Sequence, residues 1–579
     1  MFIETKIDLL LKTLLKNNSL DFLEASKTLS WGSDGLEKSA RILEDAKIVE
    51  IKYYLNPFQK PAIFLKSKEL VLNPSSSENS PKEKERYDLK PEGKTLATVS
   101  INYSNSEKHL FYDINIATVS YYTQLYFNAI KDELARTYPI QLADMAQNDL
   151  QTTVMLEKIS KKIADDGVAK SDQDIALISD VLIHQMFGLG VIDSLMQDAW
   201  LEEVIINTAK LPISVYHRKY GWLKTNLTIK TEDEILNYAT QIARKVGREV
   251  TTLNPILDAH LKGGDRVNAT IKPIASKGHS INIRMFARNP WTIISLIDES
   301  QKSMSVEMAS LLWQAMQYEM NIMVAGGTAS GKTSMLNALV SLIQPYQRVV
   351  TIEDSRELNL PSYQWNWVPM VTRRPNPEGL GEVTMLDLLI NSLRMRPDRI
   401  VLGEVRKKEE AQVLFEAMHT GHSTYSTIHA DTGEEVLKRL MQPPFEVSPI
   451  LLEDINLIVA QFRDRRKNIR RTLQILEVKE GEKTPEINHI HVWRPRKDIF
   501  QAVNSPRKYI ESLNLHTGMT EKEINQDQLD KGEVLSWMLK NGVSSVEDVG
   551  KVMKLYYAEP DFIVNSAKKN LLAKKVLEE

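Results

Sequence analysis

The amino-acid sequence predicts an α/β core built on a parallel sheet, preceded by an α+β region and by a module of three helices and a hairpin. Three observations carry that expectation. Between residues 299 and 480, short apolar strands alternate with helical patterns, which is the signature of a parallel sheet covered on both faces. Between 96 and 298, residues 204–207, 213–216 and 280–286 read as strands separated by helical stretches such as 174–187. In the first 68 residues, apolar side chains recur at three-to-four spacing over 7–15, 21–29 and 34–46. There, 48–54 and 62–65 flank the Asn56-Pro57 pair as two arms of a hairpin.

Length and composition bound the rest. At roughly 150 residues per domain, 579 residues predict about four domains. The apolar share of 42% and the charged share of 26% are those of a folded soluble protein. Lys and Arg total 73 against 76 Asp and Glu, so a net charge of -3 offers nucleic acid or anionic lipid no global attraction. The count of 0 cysteines excludes disulfides, thiolate zinc sites, iron–sulfur clusters and cysteine nucleophiles. No apolar run approaches the ~18 residues of a spanning helix, and the start lacks a basic-then-apolar signal pattern. The expected location is cytoplasmic, with any membrane contact peripheral.

Taken in order, residues 1–68 resemble a winged helix. In such a module the third helix enters DNA, yet here it carries Glu37, Lys38, Arg41, Glu44, Asp45 and Lys47, a mixed face that phosphate repels as much as it attracts. Protein docking is the preferred use and nucleic acid is disfavoured. Residues 69–95, with an apolar-free stretch at 73–86, read as a flexible linker. A tether of that kind predicts that a chain starting near Leu96 keeps its fold and its catalysis. Residues 96–298 form the α+β domain, 299–480 the α/β core, and 481–579 a strand and helical region in which Thr520 and Glu523 have capping-box spacing.

The chemistry is concentrated in the core. Gly326-Gly327-Thr328-Ala329-Ser330-Gly331-Lys332-Thr333 satisfies the phosphate-loop pattern, after a strand at 321–325 and before a helix opening at Ser334. Glycines let backbone N–H groups approach the phosphates, and the helix N-terminus favours their charge. Lys332 neutralises the β/γ oxygens, and the Thr333 hydroxyl ligates magnesium. ATP with Mg2+ is the expected ligand pair. Two further strands end in acids, 348–352 at Glu353 and 399–403 at Glu404. In an open parallel sheet both would lie at the carboxyl ends beside the loop. Glu353 is preferred for activating water and Glu404 for the metal side, although the spacing permits either division. Finally, His422 and His429 flank a Ser/Thr-rich strand, a pattern read as a γ-phosphate sensor. The competing zinc reading lacks further ligands.

These segments carry a resemblance. The phosphate loop, Thr351-Ile352-Glu353-Asp354, the run from Arg394 through Arg396 to Glu404 and Arg406, and the run from Thr420 through His422 to His429 occur in that order. They are similar to the Walker A, Asp box, Walker B and His box of the secretion ATPase superfamily of type II and type IV secretion, type IV pili and archaella. Residues 203–207 and 264–269 resemble that family's N-terminal domain, and 491–498 resemble its archaeal branch, so the likeness runs over about 96–562. The resemblance implies a RecA-like P-loop ATPase core in a homo-hexamer that docks on a polytopic membrane platform. It implies ATP held between two domains, phosphate contacts from Arg266 and Arg284, and further arginines, Arg394, Arg396 and Arg406, flanking Walker B. The absence of cysteine departs from the zinc-bearing bacterial branch. A DNA-regulated or DNA-translocating ATPase that grips a duplex with the winged helix is the alternative reading.

Overall fold

The computed structural model of the chain describes residues 2–54, 60–66, 82–89, 97–105, 107–116, 118–137, 149–261, 263–286, 290–375, 379–467 and 469–578. They fall into two units, Met1–Phe286 and Ala287–Glu579.

In the carboxy-terminal unit, four strands, Ile322–Gly326, Val349–Glu353, Arg399–Leu402 and Ser423–Ile428, are buried at every residue. Burial on both faces requires apolar side chains in both alternating sets. Accordingly, Ile322 and Val324 join the core on one face while Met323 and Ala325 join the core on the other. The nine strands run Trp367–Val371, Val349–Glu353, Arg399–Leu402, Ser423–Ile428, Ile322–Gly326, Leu457–Asp464, Ile469–Lys479, Glu486–Arg494 and Ile499–Ala502. The first six are parallel to their neighbours and the last three continue antiparallel. Thus the expected boundary at 480 is not a boundary. Strands beyond it extend the same sheet, and helices Glu521–Lys540 and Val546–Ala558 supply Val534, Trp537 and Val552 to its core. The expected boundary at 298 also moves. Ile293 and Ile294 pack into the carboxy-terminal core, and the Thr292 hydroxyl donates to Ser544 O at 2.9 Å.

The amino-terminal unit holds a second nine-stranded sheet, in the order Ile256–His260, Arg266–Thr270, Ser280–Arg284, Leu201–Ile206, Pro212–His217, Gly221–Thr228, His109–Ile116, Ala97–Ser104 and Lys82–Leu89. Its last strand corrects the linker expectation. Lys82–Leu89 pairs antiparallel with Ala97–Ser104, although its sequence is almost wholly polar. An edge strand needs only one inward row of side chains, and charge on its outer row discourages further pairing. Here Leu89 is buried, Tyr87 donates to the buried Asp198 at 2.7 Å, and Glu85 is paired with Lys219 at 2.9 Å. The remainder of the expected linker, 69–81 and 90–95, and the Asn56-Pro57 turn lie outside the described residues.

The winged-helix pattern appears as helices Lys6–Asn17, Phe22–Thr28 and Ser33–Asp45 with strands Val49–Lys52 and Ala62–Leu65. The short strand Ser19–Asp21 joins the sheet on the far side of Ala62–Leu65. This module is not tethered. Leu10, Leu14, Leu36 and Leu43 share one core with Tyr126, Phe127 and Ile130 of helix Tyr121–Thr137 and Ile159 of helix Asp149–Asp165. Polar contacts close the seam. The Trp31 indole donates to Asp166 O at 2.8 Å, and Lys38 reaches Asp166 and Glu133 at 2.9 Å each. Lys38 is one of the cations a duplex would require of the third helix, and it is committed here. A side chain at Gly35 would place Cβ 2.0 Å from Asp166 O, so the helix approaches only because this position is glycine.

Gly35→Val is therefore expected to lower stability by about 1–3 kcal/mol through overpacking, measured by urea denaturation. A chain beginning at residue 97, which uncovers Tyr126, Phe127 and Ile130, is expected to aggregate or melt earlier than the full chain. Unchanged melting of that shortened chain would restore the passive tether.

Candidate nucleotide site

The phosphate loop leaves the carboxyl end of Ile322–Gly326 and enters helix Lys332–Val340. Close backbone packing dictates its glycines. A Cβ on Gly326 would sit 2.3 Å from Ser330 Oγ and 2.6 Å from Gln461 O, and Gly331 adopts φ +99° as the helix N-cap. Thr328, Ala329 and Ser330 span the loop between them, and Ser330 Oγ donates to Gly327 O at 2.9 Å. Thr333 and Ser334 are the second and third residues of the helix. The cradle therefore has the uncapped N–H groups and positive dipole end that favour an anion.

Lys332 reaches inward. Its Nζ donates to Gly327 O at 3.0 Å and lies 3.4 Å from His429 Nδ1. Burial pulls the lysine downward from its ordinary value, with the Glu404 charge opposing the shift. His429, just past strand Ser423–Ile428, places Nε2 3.0 Å from Glu404 Oε1. An ammonium only donates, so Nδ1 is the acceptor and the Nε2 proton points at Glu404. Burial, followed by the charge of Lys332, lowers the tendency of His429 to protonate, which agrees with that neutral tautomer. The other Glu404 oxygen accepts from Arg406 at 2.6 and 2.8 Å, and Arg406 continues to Asp354. One chain of polar contacts thus joins Lys332, His429, Glu404, Arg406 and Asp354 along the carboxyl edge of the sheet.

Glu353 ends the neighbouring strand and is only 3% exposed. Its Oε1 accepts from the Glu357 and Leu358 amides at 3.0 and 3.1 Å, while Oε2 has no hydrogen-bond partner among the described residues. Burial pushes it from 4.5 up to about 7, with the two amides opposing. A carboxyl in that range is suited to exchange a proton at neutral pH. No cluster of three or more His, Cys, Asp or Glu suited to a metal occurs among the described residues. The donors that fit magnesium are the hydroxyl of Thr333 and the carboxylate of Glu404, with the remaining positions left to phosphate oxygens and water, as that ion prefers.

Three expected residues of the same unit stand apart from this cluster. Arg394 and Arg396 precede strand Arg399–Leu402 and His422 precedes Ser423–Ile428, which places all three at the amino-terminal edge of the parallel sheet. His422 is separated from His429 by a strand about 20 Å long, so the two histidines of the expected sensor do not share one site. The polarity of that strand has another cause. Fully buried Arg399 donates to Ser423 Oγ at 3.1 Å, Tyr425 OH at 2.6 Å and Gln347 Oε1 at 2.9 Å. Arg266 and Arg284 lie in the amino-terminal unit, opposite each other on paired strands. Arg266 forms a two-pronged pair with Asp258 at 3.1 and 2.8 Å, and Arg284 faces Glu203 in register. Sequence reasoning missed Asp431, whose Oδ1 would lie 3.0 Å from a Gly327 Cβ, Arg439, which donates to His429 O, and Arg470, beside the loop. Only Arg470 had a visible signal, the basic run 463–471.

Comparison with known proteins gives the same neighbourhood. The family described as Type II/IV secretion system protein matches residues 188–512. An uncharacterized protein of Methanocaldococcus jannaschii is 30% identical over 405 residues, covering 68% of this chain and 72% of that protein. The type IV secretion system protein PtlH of Bordetella pertussis is 32% identical over 301 residues, covering 47% of this chain and 88% of PtlH. Among solved structures, the VirB11 ATPase of the Brucella suis type IV secretion system aligns at 24% identity with a TM-score of 0.25, covering 49% of this chain and 95% of that one.

The raised pKa of Glu353 makes stability depend on pH. Its folded form holds the proton more tightly than its unfolded form, so stability present below 4.5 declines as pH rises and is lost once pH passes about 7. That shift from 4.5 to about 7 is worth roughly 3 kcal/mol. Between about pH 5 and about pH 8, Glu353→Gln is expected to gain roughly 2–3 kcal/mol relative to the parent, read from urea titrations at both pH values. A constant difference across that window would show that Glu353 is ionised in the fold.

Proposed function

The chain belongs to the type II/IV secretion system protein family, and on that premise we propose that it is a magnesium-dependent ATPase that drives assembly or secretion at a membrane. The observation that carries the reading is the contact chain from Lys332 through His429 to Glu404, set at the mouth of a phosphate loop. ATP hydrolysis here is water attack on the γ-phosphorus with release of ADP and phosphate, a reaction governed by positioning and charge. The loop amides and Lys332 hold the phosphates. Magnesium, when bound, offsets phosphate charge, and Thr333 and Glu404 are the residues that would hold it, Glu404 directly or through water. Glu353 takes the proton from the attacking water, because its acidity is matched to neutral pH. His429 reports occupancy. When phosphate draws the ammonium away, Nδ1 loses its donor, and the hydrogen bond to Glu404 changes with it.

The finer reading is a homo-hexameric ring in which Arg266 and Arg284 complete a phosphate site, from the same copy or a neighbour, through charge that is permanent and two-pronged. We place the ring at the cytoplasmic face of a membrane, docked on a polytopic platform of a pilus, archaellum or secretion machine. No helix among the described residues is long and apolar enough to cross a membrane. The committed Lys38 and the shared core of residues 1–68 favour a role in protein contacts for that module over duplex binding.

Lys332→Ala is expected to abolish hydrolysis, and Glu404→Gln to keep ATP bound while turnover falls by about 10²-fold or more. Nucleotide binding and phosphate release, measured on both variants, check this. Parental turnover in either would remove the corresponding role. Arg266→Ala is expected to lower turnover more than nucleotide affinity, and an equal loss of thermal stability would instead assign Arg266 to its pair with Asp258.

A further inference from the structure

We infer that Arg470 is a phosphate-binding residue of the nucleotide site, one that braces the phosphate loop and supplies a second permanent positive charge to a nucleoside di- or triphosphate. The inference rests on the nucleotide reading above and adds a residue to it. Topology brings Arg470 there. Gln461 pairs on one side with Gly326 and on the other with Thr472, so the antiparallel strand Ile469–Lys479 carries Arg470 past the carboxyl edge where the loop begins. Its Nε donates to Ala329 O at 3.3 Å, and its Cδ lies 3.5 Å from where a Gly331 Cβ would stand. Ala329 is held at φ +59°, a conformation that disfavours a residue with a side chain.

Charge completes the case. The adjacent Arg471 is buried and spends its guanidinium on Asp498 at 2.8 and 3.0 Å, which makes it structural. Arg470 forms no ion pair among the described residues, and its Nη groups make no hydrogen bond among them. A half-buried guanidinium beside a cradle of backbone donors has no carboxylate counter-charge. A polyphosphate supplies one, and its geometry suits a planar fork of donors. Within the carboxy-terminal unit Lys332 is the one side-chain cation already assigned to the phosphates, and Arg470 adds another beside the loop.

The test uses the full chain with N-methylanthraniloyl-ADP and magnesium, titrated by fluorescence at low and high salt against Arg470→Ala, Arg470→Gln and Arg470→Lys. Glutamine can still donate to Ala329 O but has no charge, so it separates bracing from phosphate binding. Both the alanine and glutamine variants are expected to weaken binding by about tenfold or more, with lysine restoring part of the loss. Their affinity should also depend less on salt than the parent's, and the KM for ATP should rise more than kcat falls. Parental affinity in the glutamine variant overturns the phosphate contact and leaves only a brace. Parental affinity in the alanine variant overturns both. Should the alanine variant fail to fold, the glutamine variant decides alone. A parent that does not bind the probe while folded overturns the nucleotide site itself, and this assignment with it.

Discussion

A lysine ammonium held inside a loop must find acceptors even when no phosphate is present, and much of the site is arranged around that demand. Lys332 is buried, with a backbone carbonyl at 3.0 Å and an imidazole nitrogen at 3.4 Å as its partners. Both are neutral acceptors. A carboxylate in contact with the ammonium would compete with phosphate for the same charge, whereas an imidazole transmits the attraction of Glu404 at one remove. The same reasoning explains why Glu404 is itself balanced by Arg406, and Arg406 by Asp354. Charge alternates from Glu404 through Arg406 to Asp354, and of the three it is the largely buried Glu404 that most needs a counter-charge.

Glu353 is the exception, and its environment makes it useful. Two backbone amides satisfy one oxygen and nothing among the described residues satisfies the other. A buried carboxylate with a single donor side is held near neutrality in its proton affinity, the property on which the proposed role of Glu353 in activating water rests. The strand beneath it cannot shift easily, because Gly403 N donates to Ile352 O at 2.8 Å and Thr427 Oγ1 to Gly403 O at 2.7 Å. Rigid backbone around a buried side chain holds it in one position.

The amino-terminal module obeys a different constraint. Its three helices present more apolar surface than a three-stranded sheet can cover, and helices 121–137 and 149–165 take up the remainder. That sharing turns what reads as a tethered accessory into part of a continuous core. A force or a partner acting on residues 1–68 is therefore felt by the rest of its own unit through packed side chains rather than through a slack chain.

By itself the sequence determined the elements whose causes are local. The phosphate loop, the buried strands 322–326 and 349–353, the three helices of the first module and the cap at Thr520 follow from spacing, glycine placement and apolar periodicity. Glu353 and Glu404 could be named from strand ends because parallel strands deliver their carboxyl ends to one side. What only the tertiary structure decided depended on partners far away in the chain. Lys82–Leu89 became a strand because Asp198 and Lys219 wait for its inward row. The polar strand 423–428 serves Arg399, an arginine that no local pattern marks as buried. His422 and His429 stand close in sequence, yet a strand extends between them and sends them to opposite edges. Arg470 follows the loop by more than a hundred residues and reaches it only because strand Ile469–Lys479 folds back on Leu457–Asp464, which itself pairs with Ile322–Gly326. Local periodicity encodes which face of an element is apolar, but the identity of its neighbour is settled by long-range pairing, and that information is distributed over the whole chain.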